Sequence, residues 1–295
     1  MRLLFGIIAV FLSVFGGFAA MGGRMAVLWQ PVEILIIIGA GIGGYVIANT
    51  PPVLKETART IGFLASGRRT SKNDYIDLIS LLYGLLRVAK SKGMSQIESD
   101  VDRPTDSPLF TQYPAVLRHE RSLTFLCDYL RLIALGQDNP HDVEALMNEE
   151  IETMARELNQ VPKALQNLAD AFPALGIVAA VLGVINAMGA ISEPPEILGH
   201  MIGGALTGTF LGVLLSYGLV GPLASAARHR RESELNMFIC IKAGLIAYLR
   251  QSPPQVCAEF ARKVLFADIQ PSLGEIEVAT TLSSQGKNRE ARQAA

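Results

Sequence analysis

The chain has 295 residues, of which half are hydrophobic and 18% are charged, and its formal net charge is −1. A soluble domain of this size carries about a quarter charged residues, so the deficit indicates a membrane protein. The balanced charge gives no basis for nucleic-acid binding, and three widely separated cysteines argue against a disulfide framework.

Two uncharged segments lie near the beginning of the chain. Residues 3–23 and 34–54 contain no Asp, Glu, Lys or Arg, and each has the ~20 residues that a helix needs to span a bilayer. We interpret the first as an uncleaved span rather than a secretory signal, because its apolar run is long and a second span follows at once. Gly39, Gly41 and Gly44 imitate a dinucleotide-binding fingerprint, but no βαβ pattern follows them, so a second span is favoured.

The middle of the chain is predicted to be helical. Apolar residues recur at helical spacing over residues 74–92, and Gly93 ends that helix. A second helix is expected over about residues 114–135, and a third begins after Pro140. Because no segment of any length has the period of a strand, the sequence predicts an all-α fold.

Two further uncharged segments, residues 171–192 and 197–227, predict the third and fourth spans. Small residues recur in them at four-residue spacing, which lets helix backbones approach closely in lipid. Their partners are either other helices of this chain or helices of another protein. The small residues are Gly176, Ala179, Ala180, Gly183, Gly204, Gly208 and Gly212, and Gly39 and Gly43 have the same spacing in span two.

Two prolines stand at span ends. Pro173 is predicted to open span three, where a proline in the first helical turn is ordinary. Pro222 is predicted to lie inside one continuous helix that leaves span four, and to kink it there. The last ~25 residues are polar without apolar periodicity, and they are predicted to be disordered.

The loop charges predict the orientation, because Lys and Arg are enriched in cytoplasmic segments. Residues 51–170 contain 14 Lys and Arg and the segment after Ala227 contains 10, whereas the two short loops contain only Arg24. Both termini are therefore expected in the cytoplasm. The predicted parts are two spans with a short periplasmic loop (1–50), a cytoplasmic helical domain (51–170), two further spans (171–222), and a cytoplasmic helical extension with a disordered tail (223–295).

The candidate chemistry is sparse. No Ser-His-Asp set, Cys-His pair, zinc-protease motif or P-loop is present, so we expect no enzyme, no cofactor and no metal site. The spans carry no carboxylate, Lys or Arg, although ion-moving proteins normally carry an intramembrane ionisable residue. If an ion crosses here, a partner must supply that group. Thr207 and Thr209 lie at span depth, where a hydroxyl bonded to its own helix is the alternative to an ion route.

Several blocks occur in the order and spacing of a known family. They are QPVE at residues 30–33, PALGIVAAVLG at residues 173–183, and GTFLG at residues 208–212. The chain therefore resembles the MotA stator subunits of the MotA/TolQ/ExbB family over nearly its whole length. The four predicted spans favour this group over ExbB and TolQ, which have three.

The resemblance implies a fold and a mechanism. It implies a polytopic all-α protein of the bacterial inner membrane, with five copies around a dimer of MotB, whose single span supplies an aspartate. Together they would conduct protons and convert the flow into torque on the flagellar rotor. Thr209 would lie beside the ion route and Ala180 would line it, where alanine favours protons over sodium. Pro173 and Pro222 would couple protonation to movement.

The resemblance also implies a rotor contact. Glu98 matches the glutamate with which the family engages the rotor protein FliG. Lys90 stands where the family has an arginine, so the charge is kept but the planar five-donor fork is lost. Arg87, about one turn earlier, is a further candidate. Two alternatives stay open, namely an ExbB/TolQ-type energiser of outer-membrane processes and a membrane scaffold that conducts no ions.

Overall fold

The structure, a computed structural model, describes residues 2–66 and 70–280. Within these ranges the chain is helical, with one π-helical segment (Leu214–Val220) and no strand. The α-helices are α1 (Arg2–Ala20), α2 (Met25–Leu28), α3 (Pro31–Ala48), α4 (Pro51–Ser66), α5 (Lys72–Lys92), α6 (Ser95–Asp102), α7 (Pro114–Leu117), α8 (Glu120–Ala134), α9 (Pro140–Gly189), α10 (Pro195–Val213), α11 (Gly221–Leu249) and α12 (Pro254–Lys263).

Four helical segments in the described residues are long and apolar enough to cross a membrane. The prediction of an all-α fold with four membrane-spanning helices is therefore confirmed. The third segment lies within α9, and the fourth lies in one uninterrupted helix formed by α10, the π segment and α11. The segments are Leu3–Ala20, Met25–Ala48, Pro140–Gly189 and Pro195–Leu249.

The chain divides into two compact units. We call Met1–Arg68 with Glu157–Arg231 the membrane unit, since it contains the uncharged segments. We call Arg69–Arg156 with Glu232–Ala295 the core unit, since it holds the largest hydrophobic cluster.

Close contacts between spans hold the membrane unit together. Ile37 on α3 is fully buried, and one turn later a Cβ on Gly41 would lie 2.8 Å from the Phe172 ring. Only a glycine at position 41 lets the ring approach this closely. At the end of α3, the Tyr45 hydroxyl lies 2.6 Å from the Thr57 hydroxyl on α4, which ties the second span to the helix that follows it.

Helix α5 is the centre of the core unit. Ser71 and Asp74 form a capping box at its start, and Gly93, with φ +89°, ends it as predicted. Tyr75 donates a 2.7 Å hydrogen bond from its hydroxyl to the carbonyl of Ser233 on α11. The helix itself contributes many of the buried leucines and isoleucines of the core, namely Leu78, Ile79, Leu81, Leu82, Leu85 and Leu86.

The single helix expected over residues 114–135 is instead two helices. The backbone leaves the helical conformation at His119, between α7 and α8. Val116 and Phe125 are both buried in the same cluster. Nine residues apart at about 100° each, they would lie on opposite sides of one helix. The break at His119 lets both side chains reach the core. The sequence did not reveal it, because the apolar residues on each side of the break have helical spacing.

Pro173 does not open a helix, contrary to the prediction. It lies inside the 50-residue helix α9, as does Pro162. A proline there removes one backbone hydrogen bond. The helix continues because one buried stripe, with a residue every three or four positions, runs through both prolines. The stripe comprises Val161, Leu165, Ala169, Phe172, Gly176 and Ala179.

Part of the predicted disordered tail is ordered. Residues 273–280 are helical, and Ile276 is buried in the main cluster of the core unit. The ammonium of Lys72 lies 2.7 Å from the carboxylate of Glu275, which fixes the same segment. A single buried apolar side chain is too short a pattern to show helical periodicity in sequence. The rest of the predicted tail, residues 281–295, lies outside the described residues.

Candidate functional site

Spans three and four pack backbone to backbone along a line that we call the seam. A Cβ on Gly176 of α9 would lie 2.9 Å from the Gly208 carbonyl oxygen and 3.0 Å from the Gly212 Cα. Further along, a Cβ on Gly183 would lie 2.8 Å from the Ala205 Cβ. These small residues therefore pack within the chain, which was one of the two possibilities left by the sequence.

The small residues of span two behave differently. A Cβ on Gly39 or Gly43 would have no described atom within 4 Å, apart from its own helix. On this side the span presents its glycines to the surroundings of the chain, where lipid or another helix can approach.

The seam brings Ala180 and Thr209 onto facing helices. The Thr209 Cα lies 3.3 Å from the Cβ position of Gly176, and the Ala180 amide nitrogen lies 3.3 Å from the Cβ position of Gly208. Both residues are half-buried. A methyl group and a hydroxyl-bearing side chain therefore lie at the edge of a tight helix pair that has no charged group of its own.

The two span-four threonines differ in their hydrogen bonds. The Thr207 hydroxyl is buried and donates to the Gly203 carbonyl at 2.9 Å, so it serves its own helix. The Thr209 hydroxyl makes no hydrogen bond to a described residue. Of the two, Thr209 has the hydroxyl that is available to bind a group outside its own helix, such as water.

The face of α9 beside Ala180 is apolar and exposed in the single chain. Ile177, Val181 and Ile185, at four-residue spacing, are each about half exposed or more. Exposing an apolar helix face of this kind to water is unfavourable. Lipid or an apolar helix of another protein must cover it.

The helix that leaves span four contains a π segment that ends at Val220, two residues before Pro222. The Gly221 amide donates to the Ser216 carbonyl, five residues earlier, and a Cβ on Gly221 would lie 3.0 Å from that oxygen. Pro222 follows in the first turn of α11 and is exposed. The wider turn accommodates a residue that has no N–H to donate. Sequence analysis predicted one continuous helix kinked at Pro222; the helix is continuous, but the π segment was not foreseen, and the Gly-Pro pair was the available signal.

The predicted rotor residues lie in the core unit, and all three are exposed. Lys90, near the end of α5, donates from its ammonium to the carbonyls of Gln251 (2.8 Å) and Ser252 (3.1 Å). These carbonyls follow α11, where a helix leaves acceptors without partners and where a positive charge is favourable. Lys90 therefore already has a structural bond, whereas Arg87 and Glu98 are exposed without such a bond among the described residues.

Glu98 lines a cavity of about 130 Å³ between α6 and α8 that sequence analysis did not foresee. Beside it, Arg131 donates to Asp102 at 2.9 Å, to Asp128 at 2.8 Å and to the Val101 carbonyl at 2.9 Å. The bonds to Asp102 and Val101 hold α6 against α8, and the bond to Asp128 orients the guanidinium within α8. Only the pairing of Asp128 with Arg131, three residues apart, could have been noticed in the sequence.

The remaining reactive groups are structural. Cys127, Cys240 and Cys257 are buried, and burial raises the pKa of the Cys127 and Cys257 thiols to about 11. They are therefore protonated and unreactive at neutral pH. Across residues 2–66 and 70–280, His, Cys, Asp and Glu form no group of three that could hold a metal ion.

Comparison with known proteins defines the class first. A model of the MotA/TolQ/ExbB proton channel family matches residues 119–238, and the model of the motility protein A N-terminal region matches residues 4–93. The fold and the uncharged seam are thus those of a four-span channel-family protein rather than of a known enzyme class.

The chain is 40% identical over 277 residues to motility protein A of Escherichia coli, with 94% of both chains covered. It is 36% identical to the chemotaxis protein LafT of Vibrio parahaemolyticus, over 94% of this chain and 97% of that one. It belongs to the motility protein A family.

Solved structures show the same fold. The structure of C. jejuni MotAB matches with a TM-score of 0.75 at 16% identity, covering 90% of this chain and 96% of that chain. The flagellar MotAB stator complex from Bacillus subtilis matches with a TM-score of 0.67 at 24% identity, covering 87% and 92%.

Proposed function

We propose that this chain is a stator subunit of the flagellar motor, which forms a proton channel with a MotB-type partner and converts proton flow into torque. The observation that carries the proposal is the seam. Ala180 and Thr209 edge a tightly packed pair of spans that contain no carboxylate, Lys or Arg. Such a wall can border an ion route but cannot by itself hold the charge.

The partner supplies what the wall lacks. A MotB-type span carrying an aspartate fits the exposed apolar face of α9 beside Ala180. There the Thr209 hydroxyl can hydrogen-bond water that delivers a proton to the aspartate. Protons are the only small species that the chain would handle, and no cofactor takes part. Two similar solved structures are named as MotAB complexes, which supports this partner.

Coupling to movement runs through the two prolines. Moving one charge through 100 mV releases about 2.3 kcal/mol, which is enough to shift a two-state helix arrangement several-fold or more. Pro173 and the π segment before Pro222 are places within the uncharged spans where α9 and the span-four helix lack regular backbone bonds. They are therefore the positions where these helices bend most easily.

The core unit transmits this movement to the rotor protein FliG. Glu98 and Arg87 supply exposed charges for the contact, and Lys90 contributes charge while holding the turn after α11. Exposed ion pairs are worth about 0–1 kcal/mol each, so the contact breaks easily and suits repeated stepping.

The assembly is a ring of five copies in the bacterial inner membrane, with both termini in the cytoplasm. The Lys and Arg distribution supports this orientation, because 14 of these residues lie between residues 51 and 170 and only Arg24 lies in a short loop. The core unit is then cytoplasmic and faces the rotor.

Genetic complementation tests the proposal. The chain and its MotB-type partner are expressed in Escherichia coli that lacks both of its own stator proteins, and swimming is measured in soft agar. We expect swimming to be restored, and to be lost when the aspartate in the partner's span is replaced by asparagine. Membrane insertion of both proteins without any swimming would favour a scaffold or an energiser of another process.

A further inference from the structure

Helix α12 carries an apolar stripe that nothing in the described chain covers. Val256, Phe260 and Val264 follow one another at four-residue spacing and are 39%, 49% and 41% exposed. The opposite side of the helix is already used, because Cys257 and Ala261 are fully buried in the core unit. The stripe is therefore spare apolar surface on a helix whose own packing is complete.

A second exposed surface, on α9, consists of one apolar residue among acidic side chains. Leu146 is 51% exposed, and Asp142 and Glu149, four residues before it and three after it, are exposed beside it. The neighbouring Val143 and Met147 are buried. We call this surface the acidic face.

The stripe and the acidic face lie at the same level of the core unit. Arg250, directly after α11, donates to Glu144 at 2.7 Å, and Lys242 of α11 donates to Asn148 at 2.8 Å. These two bonds place residues 144–148 of α9 beside the stretch of α11 that begins at Lys242. Leu146 is two residues, or about 200°, from both Glu144 and Asn148, so it lies at the same level and faces away from α11. A Cβ on Gly244, in that same stretch, would lie 3.4 Å from the Ala261 Cβ of α12.

The two surfaces also lie on opposite sides of α11. Lys242 faces α9, whereas Gly244 faces Leu82 of α5 and Ala261 of α12. Two residues correspond to about 200° of helical rotation, so α9 and α12 flank α11 from nearly opposite directions. Surfaces at one level on opposite sides of a subunit are what a head-to-tail ring requires.

We propose that the stripe of α12 in one copy packs against the acidic face of α9 in the next copy of this chain. The charges are complementary, since Arg262 and Lys263 leave this turn with one positive charge in excess over Glu259. The Lys263 side chain is 64% exposed and its ammonium lies 4.0 Å from the Glu259 carboxylate, and it would approach Glu149 of the next copy across the interface. The other basic residue of this turn, Arg262, is bound by Glu259 at 2.6 Å and takes no part. The inference rests on the proposed function only in requiring several copies.

Pairwise cross-linking in membranes tests the interface. Leu146→Cys and Phe260→Cys are combined in the full chain, expressed with the MotB-type partner and treated with a short bis-maleimide. We expect a ladder of covalent multimers, because each copy would join the next. The three native thiols are buried and should not react. The matched control combines Phe260→Cys with Leu135→Cys, an exposed position directly after α8, and should give no ladder.

The single variants make the result decisive. Phe260→Cys alone should give no dimer, because in a head-to-tail contact the stripe never meets itself. A dimer from this single variant, or no ladder from the pair, would overturn the proposal. If the pair lowers the amount of protein in the membrane, Ala145→Cys with Val256→Cys tests the same two surfaces.

Charge reversal gives an independent readout. Lys263→Glu and Glu149→Lys should each lower the cross-linking yield by roughly threefold, and the double variant should restore it. The mass of the detergent-extracted complex and swimming are measured alongside. A swimming multimer that never cross-links at these positions would remove this interface and leave the proposed function standing. A chain that remains a monomer and does not swim would remove the proposed function.

Discussion

A Cβ on Gly212 would lie 2.8 Å from the Cα of Gly176, closer than atoms of neighbouring helices can approach without one of them moving. Here spans three and four are separated by backbone alone. The same contact brings Thr209 next to Gly176, and the next contact along the seam brings Ala180 next to Gly208. The positions of the two candidate route residues therefore depend on the absence of side chains at the seam.

Gly212→Ala should separate the two spans and abolish or strongly reduce swimming. The added methyl would also lie 2.6 Å from the Phe172 carbonyl oxygen, and overpacking of this kind costs about 1–3 kcal/mol. Gly39→Ala is the matched control, because its methyl meets no described atom within 4 Å. Soft-agar swimming, corrected for protein in the membrane, is the measurement. Equal swimming by both variants would show that the seam tolerates separation.

Thr209→Val should lower proton conduction with little effect on assembly, whereas Thr207→Val should leave conduction close to wild type. The Thr207 hydroxyl is bound to its own helix, but the Thr209 hydroxyl is available for water in the route. Loss of one hydrogen bond of about 1 kcal/mol corresponds to roughly a fivefold slower step. Acidification of cells co-expressing an unplugged partner reports the flux. Reversed effects of the two variants would assign the route to Thr207.

The sequence was sufficient for those parts of the fold that depend on local patterns. Uncharged segments predicted the four spans, and Gly93 predicted the end of α5. The sequence was insufficient where packing against distant elements decides whether a helix continues or breaks. Pro173 lies within α9 because a buried stripe crosses it, and the break at His119 brings Val116 and Phe125 into one core. Neither feature has a signal within a window of a few residues.

Pro222→Ala should reduce torque while the complex still assembles. Alanine has the N–H that proline lacks, so the helix can close the π segment into regular α-helix and lose its flexible turn. Pro162→Ala is the control, since Pro162 also lies inside a long helix but on α9 rather than on the helix that leaves span four. Rotation of tethered cells measures torque, and co-purification of the partner measures assembly. Full torque with alanine at position 222 would exclude a coupling role for this proline.

Lys90→Ala and Glu98→Lys should separate a structural effect from a contact effect. Removing the Lys90 ammonium leaves two carbonyls after α11 without their donor, so the free energy of unfolding should fall by about 0.5–1 kcal/mol. Glu98 is exposed, so its reversal should reduce torque at nearly unchanged stability. Thermal unfolding of the purified complex and tethered-cell rotation are compared. Reduced stability in the Glu98 variant with normal torque would remove Glu98 from the rotor contact.

The candidate site was only partly predictable from the sequence, because contacts between residues far apart in the chain decide its geometry. Small residues at four-residue spacing indicated close helix packing, but they could not show that Gly176 meets Gly212 while Gly43 meets nothing in the chain. The difference between Thr207 and Thr209 is likewise set by which carbonyl each hydroxyl reaches. The bond from Lys90 to Gln251 spans 161 positions and depends on tertiary structure that spacing cannot reveal.

Proton flux into liposomes tests the central claim most directly, namely that spans three and four form a wall that conducts only with a carboxylate from another polypeptide. The chain is reconstituted alone, with an unplugged MotB-type partner, and with that partner carrying asparagine in place of its span aspartate. A pH-sensitive dye inside the vesicles reports acidification under an imposed potential. We predict flux only when the chain is reconstituted together with the intact partner. Equal flux from this chain without any partner would contradict the claim.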